Sequence, residues 1–345
     1  MSEFKVSVII PVYNGEKYLP CALDSVVNQS IGIENLEVII VNDASTDGTR
    51  AIIDEYCSRY SNFKAIHLDE NIGAAWGPRN IALKKATSGY VMFLDADDTF
   101  TSDACEVLYN EISSSGANMV FGRYYRVYDD FRLKSYSAYS DDLDMKNDLE
   151  CNPGFSGAVS FLWTHIFYRL FYGRSIDRGD RIFVSDIRQN PEILKILPSF
   201  WTKIFNRSCI GEFPQLIAGE DLNFMLDAYN NGDFIFLNDK FIVNYRMRFD
   251  EKELSVTKNI NFNLVLDSIR SYKLAIMKCN EYGFLKYDKM INPFLLNYLN
   301  LLKKGNFSRS EMKVLLDEIK EIDDIYKNKG LFGFLIVKFI KFLCR

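Results

Sequence analysis

The first hundred residues alternate short, unbroken apolar runs with longer stretches whose apolar residues recur at helical spacing. The apolar runs have the length of strands and are rich in β-branched residues, and they occupy residues 5–12, 36–41, 63–68 and 90–94. The helical stretches between them span residues 15–29, 49–60 and 74–86. Continuous apolar strands separated by such helices are typical of a parallel sheet covered on both faces. The sequence therefore predicts an α/β fold, with any ligand beyond the carboxyl ends of the strands.

The rest of the chain is less regular. A strand is expected from residue 119, followed by polar, Tyr-rich sequence to residue 139, and residues 151–200 have a mixed pattern that predicts no element. A strand–helix–strand rhythm returns at 200–206, 220–230 and 234–246, and helices are predicted at 262–282, 284–303 and 310–328. Ser308 and Glu311 have the spacing of a capping box. These patterns divide the chain into a domain at 1–258 with halves at 1–118 and 119–258, a helical extension at 259–329 and a tail at 330–345.

Composition excludes several classes of function. The net charge of −5 argues against a nucleic-acid partner, because binding phosphates requires a basic face. Seven cysteines without a C-x-x-C pair favour reduced thiols in the cytoplasm over a disulfide framework. Only two histidines are present, which argues against a His-based triad or a poly-His zinc site. No signal peptide is expected before the first apolar run.

Acidic residues follow the second apolar run, in the sequence N-D-A-S-T-D-G-T at residues 42–49. A carboxylate at the carboxyl end of a strand, here Asp43, can accept hydrogen bonds from a base or a ribose. Asp and Ser in such a turn are equally suited to capping the next helix. On position alone we favour Asp43 as a ligand and Asp47 or Ser45 as the cap.

Three carboxylates, Asp95, Asp97 and Asp98, follow the fourth apolar run directly. Carboxylates so close to a buried strand repel one another and are costly to desolvate unless a cation lies between them. Ligands that are all oxygen suit Mg²⁺ or Mn²⁺, ions that usually bridge to substrate phosphates. The alternative is a solvated acidic turn, and the position in the predicted sheet favours the metal.

A second carboxylate pair, Glu220 and Asp221, opens a predicted helix after Gly219. Acidic residues at a helix start are usually there because they interact favourably with the helix dipole. A functional interpretation requires one of them to act as a general base towards an acceptor hydroxyl. The pair alone does not favour this second interpretation.

Taken together, the motifs form an ordered set. The set comprises V-I-I-P-V-Y-N at 8–14, N-D-A-S-T-D-G-T at 42–49, N-I-G at 71–73, P-R-N at 78–80, D-A-D-D at 95–98 and G-E-D at 219–221. In this order they resemble the family 2 glycosyltransferases, enzymes of the GT-A fold, over about residues 4–250. Pro78 stands where the family commonly has Ala, a departure that leaves Arg79 in place.

The resemblance implies a donor site in the first half of the domain. It places Pro11 and Tyr13 in the base pocket, with Tyr13 against the uracil face and Asp43 at the base edge. The other residues that it assigns to the nucleotide sugar are Gly73, Arg79 and Asp95. It also makes Asp97 the direct ligand of Mn²⁺ or Mg²⁺, with Asp95 beside it.

The resemblance likewise implies an acceptor side. Asp221 becomes the general base of a single displacement with inversion, and Glu220 orients the acceptor or supports the site. Arg246 and Arg248 are candidates for contact with the diphosphate, although arginines at a strand end are equally often surface residues. Trp201 is either a sugar-stacking residue or part of the core.

Residues 327–345, which include the tail, carry five positive charges and no acid. Its apolar run from 331 to 343 is shorter than the roughly 20 residues that cross a bilayer as a helix. Three basic residues fall on one helical stripe, Lys338, Lys341 and Arg345. We interpret the tail as an in-plane anchor that holds a cytoplasmic protein at the inner face of the membrane. A terminal helix docked on the protein or on a partner subunit is the alternative.

The function predicted is transfer of a sugar from a nucleotide donor, UDP by preference, to a hydroxyl of a surface glycan, capsule, teichoic-acid-like polymer or lipid-linked acceptor. Transfer to a polyprenyl phosphate is one alternative, and an inactive donor-binding scaffold is another. A sugar nucleotidyltransferase is disfavoured because residues 11–16 are not a Gly-rich, basic phosphate loop. The helical extension is expected to close the acceptor groove or to form a homo-oligomer.

Overall fold

The computed structural model describes residues 4–128, 133–136, 180–186, 188, 199–247, 260–283, 302 and 305–327. Within these residues, ten strands form a single mixed sheet in the order β3-β2-β1-β4-β9-β6-β10-β5, with β7 on β6 and β8 on β10. Helices flank the sheet, so the α/β prediction is confirmed.

The first half contains four strands and three helices in the predicted order, followed by a short strand and a helix, β5 and α4, that were not predicted. The strands are β1 Val6–Val12, β2 Leu36–Asn42, β3 Phe63–His67, β4 Tyr90–Phe93 and β5 Thr99–Phe100. The helices are α1 Leu19–Val27, α2 Thr49–Arg59, α3 Trp76–Lys85 and α4 Ala104–Ser115. Strands β1 and β2 are buried throughout because the parallel sheet is covered on both faces there.

The second half adds five more strands to the sheet, and three further helices lie among the described residues. The strands are β6 Met119–Tyr128, β7 Leu133–Tyr136, β8 Arg181–Val184, β9 Lys203–Asn206 and β10 Phe234–Met247. The helices are α5 Glu220–Asn230, α6 Phe262–Glu281 and α7 Arg309–Lys327. The predicted capping box of α7 is confirmed, since Ser308 N donates to Glu311 Oε2 and Glu311 N donates to Ser308 Oγ.

Strand direction decides where the candidate residues meet. β1 pairs in parallel with β2 and with β4, so the carboxyl ends of all three lie at one edge of the sheet. β9 runs antiparallel between β4 and β6, and its beginning therefore lies at that same edge. The predicted strand at 200–206 is wrong in its first turn: Phe200–Thr202 form a 3₁₀ helix, and the strand starts at Lys203.

Aromatic side chains fill the core beneath this edge. The Phe93 ring on β4 contacts four other rings edge-on: Phe200, Phe205, Phe213 and Phe224. Phe213 and Phe224 stack with centroids 4.0 Å apart and planes 4° from parallel. Because Phe224 belongs to α5, this cluster fixes that helix against the middle of the sheet.

Several predictions concern residues that the structure does not describe. They are most of the 151–200 stretch, nearly all of the helix at 284–303, Arg248 and the tail at 330–345. In the part of the chain that is described, no helix is long and apolar enough to cross a membrane. The domain boundaries stay predictions.

Glu37 is a buried carboxylate that links three neighbouring strands. It lies opposite Ser7 on β1, is fully buried, and accepts hydrogen bonds from Ser7 Oγ, from Lys64 Nζ on β3 and from Thr87 N and Oγ1 before β4. Burial alone would raise the pKa of Glu37, but hydrogen bonds from Lys64 and the other donors hold it below the ordinary value of 4.5.

We expect Glu37→Gln to lower the free energy of unfolding at pH 7 by about 2 kcal/mol, because the buried donors lose a charged acceptor. A lowered pKa contributes stability that is present above the ordinary value and is lost as pH falls through the folded value. The difference from the wild type should therefore shrink below about pH 4.5. Urea unfolding at several pH values measures both effects. The exposed Glu55→Gln is the control, and an equal loss there would contradict the role given to Glu37.

Candidate active site

The loops that follow β1 and β2 are joined by hydrogen bonds. Asp43 N donates to Val12 O at 2.8 Å, and Asn14 N donates to Ser45 Oγ at 2.8 Å. Both loops turn sharply, with positive φ of 49° at Asn14 and 55° at Ala44. The parallel pairing of the two strands therefore continues into the loops and sets Tyr13 beside Asp43.

Residues 71–73 complete this corner. Ile72 N donates to Asp43 Oδ1 at 2.8 Å, and Asn71 Nδ2 donates to Asp43 O at 2.8 Å. Gly73 then adopts φ of +81°, a conformation that favours glycine. Asp43 is only 4% exposed, whereas Tyr13 and Ile72 are 53% and 39% exposed. The corner offers apolar surface beside a carboxylate, which suits a flat heterocycle with N–H donors. Pro11, in contrast, is buried within β1.

Asp47 and Ser45 serve the loops rather than a ligand. Asp47 Oδ1 accepts from Thr49 N at the start of α2, and Asp47 Oδ2 accepts from Glu16 N. Ser45 Oγ is occupied by Asn14 N. Asp47 thus bonds the start of α2, as expected from the sequence, and the role of Asp43 as a ligand stays a prediction.

The acidic turn at residues 95–98 is held by β10. Asp98 N donates to Asp95 O at 3.0 Å, which closes the turn. Arg246 N donates to Asp98 Oδ1 at 2.8 Å, and Arg246 Nε donates to the backbone carbonyl of Asp97 at 3.0 Å. The Arg246 guanidinium also lies 5.0 Å from the ring centroid of Tyr18. Arg246 is thus at the acidic turn and helps to shape it.

Arg79 lies at the centre of the site, between the acidic turn and the start of α5. Its Nη2 is 2.8 Å from Asp95 Oδ1, its Nη1 is 3.1 Å from Glu220 Oε1, and Nη1 is 3.9 Å from Asp221 Oδ1. The side chain is 6% exposed. One guanidinium therefore connects carboxylates that are separated by more than a hundred residues in sequence.

Aromatic rings support this cation from below. The guanidinium carbon lies 4.3 Å from the Phe200 centroid and 5.4 Å from that of Phe213. Burial alone would lower the pKa of Arg79, but the charge of Asp95, followed by those of Asp221 and Glu220, raises it above the ordinary value. The guanidinium of Arg79 is planar, stacks on rings and bonds through both Nη atoms. The ammonium group of a Lys cannot make this set of contacts.

The carboxylate pair begins α5 directly after Gly219, which has φ of +77°. Burial raises the pKa of Glu220 although Arg79 opposes the shift. Burial and the charge of Glu220 raise the pKa of Asp221 further. The Asp221 side chain is 36% exposed, although its Oδ1 is buried 3.9 Å from Arg79 Nη1. A carboxylate with a raised pKa and an open side has the properties of a general base.

The structure brings most of the predicted site residues to one edge of the sheet, with exceptions. Trp201 is 8% exposed and stacks on Tyr245 with centroids 5.2 Å apart, so it belongs to the core and not to a sugar-binding surface. Arg248 lies outside the described residues. Among the residues that are described, no three His, Cys, Asp or Glu side chains cluster closely enough to hold a metal ion by themselves.

Sequence reasoning missed the support around the site. No sequence motif marks the rings of Phe200 and Phe213 under Arg79. The only signal for them was the high Phe content of the chain. The contacts between α5 and α6 were missed as well. Their signal is a set of polar residues spaced along one face of the predicted 262–282 helix.

The comparison with known families agrees with this geometry. Residues 7–171 match the model described as glycosyl transferase family 2. That match covers a little under half of the chain, which is similar there to a family 2 glycosyltransferase domain. The chain is similar to a poly(ribitol-phosphate) beta-glucosyltransferase of Bacillus spizizenii, with 38% identity over 34% of this chain and 19% of that protein. It is also similar to TarS of Staphylococcus aureus, a poly(ribitol-phosphate) beta-N-acetylglucosaminyltransferase, with 43% identity over 27% of this chain and 16% of that protein.

The chain spans well under two thirds of the length of these relatives. Solved structures extend the likeness of the fold beyond the family 2 glycosyltransferase domain. The structure of S. aureus TarS 1-349 in complex with UDP matches 95% of this chain and 76% of that chain, with a TM-score of 0.56 and 20% identity. Its complex with UDP-GlcNAc matches 97% and 90%, also with a TM-score of 0.56 and 20% identity. The predicted GT-A fold with a C-terminal helical part is thereby confirmed.

Proposed function

We propose that this chain is a metal-dependent, inverting glycosyltransferase that moves a sugar from a UDP donor to a hydroxyl of a surface glycan of the teichoic-acid type. The observation that carries the proposal is the Arg79 bridge. It holds the acidic turn of the donor side and the carboxylate pair of the acceptor side on one guanidinium. A leaving group at the turn and a base at Asp221 would thus lie on either side of one sugar.

The corner at Tyr13 and Asp43 is the proposed nucleotide site. The exposed ring of Tyr13 offers a stacking surface for uracil, and the Asp43 carboxylate offers an acceptor for the base N–H. Gly73 and Pro11 shape the backbone around it. Further support comes from the similar TarS structures, which were solved in complex with UDP and UDP-GlcNAc.

A divalent cation is proposed at Asp97, with Asp95 beside it. Mg²⁺ and Mn²⁺ are usually held by one or two carboxylates together with substrate phosphates and water. Among the described residues no three acidic, His or Cys side chains are arranged to hold a metal by themselves. Two carboxylates at the end of β4 therefore fit a cation that takes its other ligands from a diphosphate. When bound, such a cation neutralises charge on the departing diphosphate. Through its bonds to Asp97 and Asp98, Arg246 keeps the acidic turn in shape. Arg248 stays a candidate for contact with the diphosphate.

Asp221 is the proposed general base. The acceptor oxygen forms a bond to the anomeric carbon while its proton passes to Asp221, and the bond from that carbon to the diphosphate breaks with its electron pair on the phosphate oxygen. The attack comes from the face opposite the leaving group, so the configuration inverts without a covalent intermediate. Glu220 stays bound to Arg79 and keeps the pair in place.

We expect metal-dependent release of UDP when a panel of nucleotide sugars, including UDP-glucose and UDP-N-acetylglucosamine, is incubated with the protein and Mn²⁺. EDTA should abolish the release, and Asp97→Asn should raise the Mn²⁺ concentration for half-maximal rate by at least about tenfold, because a ligand is lost. Asp103→Asn, at an exposed position after the turn, is the matched control. Full activity in EDTA would overturn the cation, and binding of UDP-sugars without turnover would favour a scaffold.

Asp221→Asn should abolish transfer to poly(ribitol phosphate) and leave the Kd for UDP within about threefold, because the amide keeps the shape of the side chain but accepts no proton. Radiolabelled transfer and isothermal titration measure the two quantities. Asp239→Asn, an exposed change on β10, should retain the wild-type rate. Transfer by Asp221→Asn at a rate comparable to wild type would remove Asp221 from the role of base.

We also propose that residues 330–345 hold the protein at the inner face of the cytoplasmic membrane. The support is the basic stripe on an otherwise apolar segment. Removing these residues should move the protein from the membrane fraction to the soluble fraction after cell lysis. An unchanged distribution would instead favour docking of the tail on the protein or on a partner subunit.

A further inference from the structure

Helix α6, in the helical extension, presents a stripe of polar side chains to α5. The stripe consists of Asp267, Ser271 and Lys278 in the helix and Tyr282 at its C-cap, at intervals of four, seven and four residues. At about 100° per residue these intervals keep all four on one face of the helix. Every one of them bonds to α5 or to the loop that leads into it, so the stripe is an interface and not a solvated surface.

The centre of the interface is the peptide that precedes the proposed catalytic pair. Ser271 Oγ donates to Gly219 O at 2.8 Å. Asn223 Nδ2, one turn into α5, donates to Ser271 Oγ at 2.9 Å, to Ser271 O at 3.0 Å and to Gly219 O at 3.2 Å. Ser271 and Asn223 are both fully buried. Water cannot replace these donors easily, because the groups have no access to solvent.

The two ends of the interface fix the rest of α5. Asp267 Oδ2 accepts from Ile217 N at 3.0 Å, two residues before Gly219. At the far end, Asp227 accepts from Lys278 Nζ at 2.6 Å and from Tyr282 OH at 2.7 Å. The helix that carries Glu220 and Asp221 is therefore held before, at and after its first turn by α6.

We propose that Ser271 is a positioning residue, and that α6 sets the direction in which Asp221 faces the acceptor. The proposal rests on the proposed function of Asp221 as the base. Gly219 has φ of +77°. Because glycine has no Cβ, it restricts rotation about its own backbone bonds less than any other residue does. The hydroxyl of Ser271 fixes the carbonyl of that peptide, and Glu220 and Asp221 follow directly in the chain.

The test compares two serines on the same helix. Ser271→Ala removes the bond to Gly219 O. Ser268→Ala removes an equally buried hydroxyl that bonds only within α6, to Leu264 O at 2.7 Å. We expect Ser271→Ala to lower kcat for transfer from a UDP-sugar to poly(ribitol phosphate) by about tenfold, since catalysis is sensitive to small misplacements. The KM for the UDP-sugar, the Kd for UDP and the melting temperature should match those of Ser268→Ala.

A second pair of variants covers the loop before Gly219. Asp267→Asn keeps an oxygen that accepts from Ile217 N and should retain most of kcat, whereas Asp267→Ala should lower it as Ser271→Ala does.

Equal kcat values for Ser271→Ala and Ser268→Ala would overturn the positioning role, as would a fall in kcat that only follows a fall in melting temperature. If Asp221→Asn is inactive while Ser271→Ala is normal, the base stands and only the role of α6 fails. If Asp221→Asn is active, the proposed function itself fails.

Discussion

The site depends on one buried cation. Arg79 meets Asp95, Glu220 and, at 3.9 Å, Asp221, so a single positive charge faces three carboxylates in a place with little access to water. Burying an unpaired charge is costly, and breaking a buried ion pair typically costs about 3–5 kcal/mol. The Phe200 ring lies under the guanidinium, and both Nη atoms of Arg79 bond to carboxylates. These contacts offset the cost of burying the charge. Burial and the charge of Glu220 keep the pKa of Asp221 raised, although Arg79 opposes the shift. The Arg79 interaction thus joins the two sides of the site.

The topology of the sheet explains how these groups come together. Arg79 lies in α3, which packs beside β1 and β2, and Asp95 follows β4, the next strand in the sheet. The chain then leaves and returns through β9, which is antiparallel to β4. That reversal brings Phe200, ahead of β9, to the edge where the parallel strands end. After β9, residues 207–219 carry the chain back to this edge, where α5 starts beside Arg79. A parallel β9 would place Phe200 at the opposite edge of the sheet.

The sequence predicted the features that depend on interactions between residues close together in the chain. The buried strands at Val6–Val12 and Leu36–Asn42 follow from continuous apolar runs, and the start of α7 follows from the Ser308–Glu311 box, because each signal lies within a few residues. Asp43, Asp95 and Asp97 could be placed because they directly follow strands. The partners of Arg79 could not be predicted in this way, since Glu220 is 141 residues away in the sequence. Trp201 shows the same limit: its stacking on Tyr245 is a contact between elements, and nothing in its own segment distinguishes a core residue from a binding surface.

The nucleotide corner and the start of α5 are held by different parts of the chain. The nucleotide corner is fixed by bonds within the first half, from Val12 to Asp43 and from Asp43 to Ile72. The backbone that presents Asp221 is fixed by α6, through Ser271 and Asp267. We therefore expect a disturbance in α6 to reach Asp221 directly and to reach the donor side only by way of Arg79. Because Arg79 is anchored on Asp95 and on the rings beneath it, it limits how far such a disturbance travels towards the donor. On the proposed roles, we therefore expect the helical extension to govern the rate of transfer more than the affinity for nucleotide.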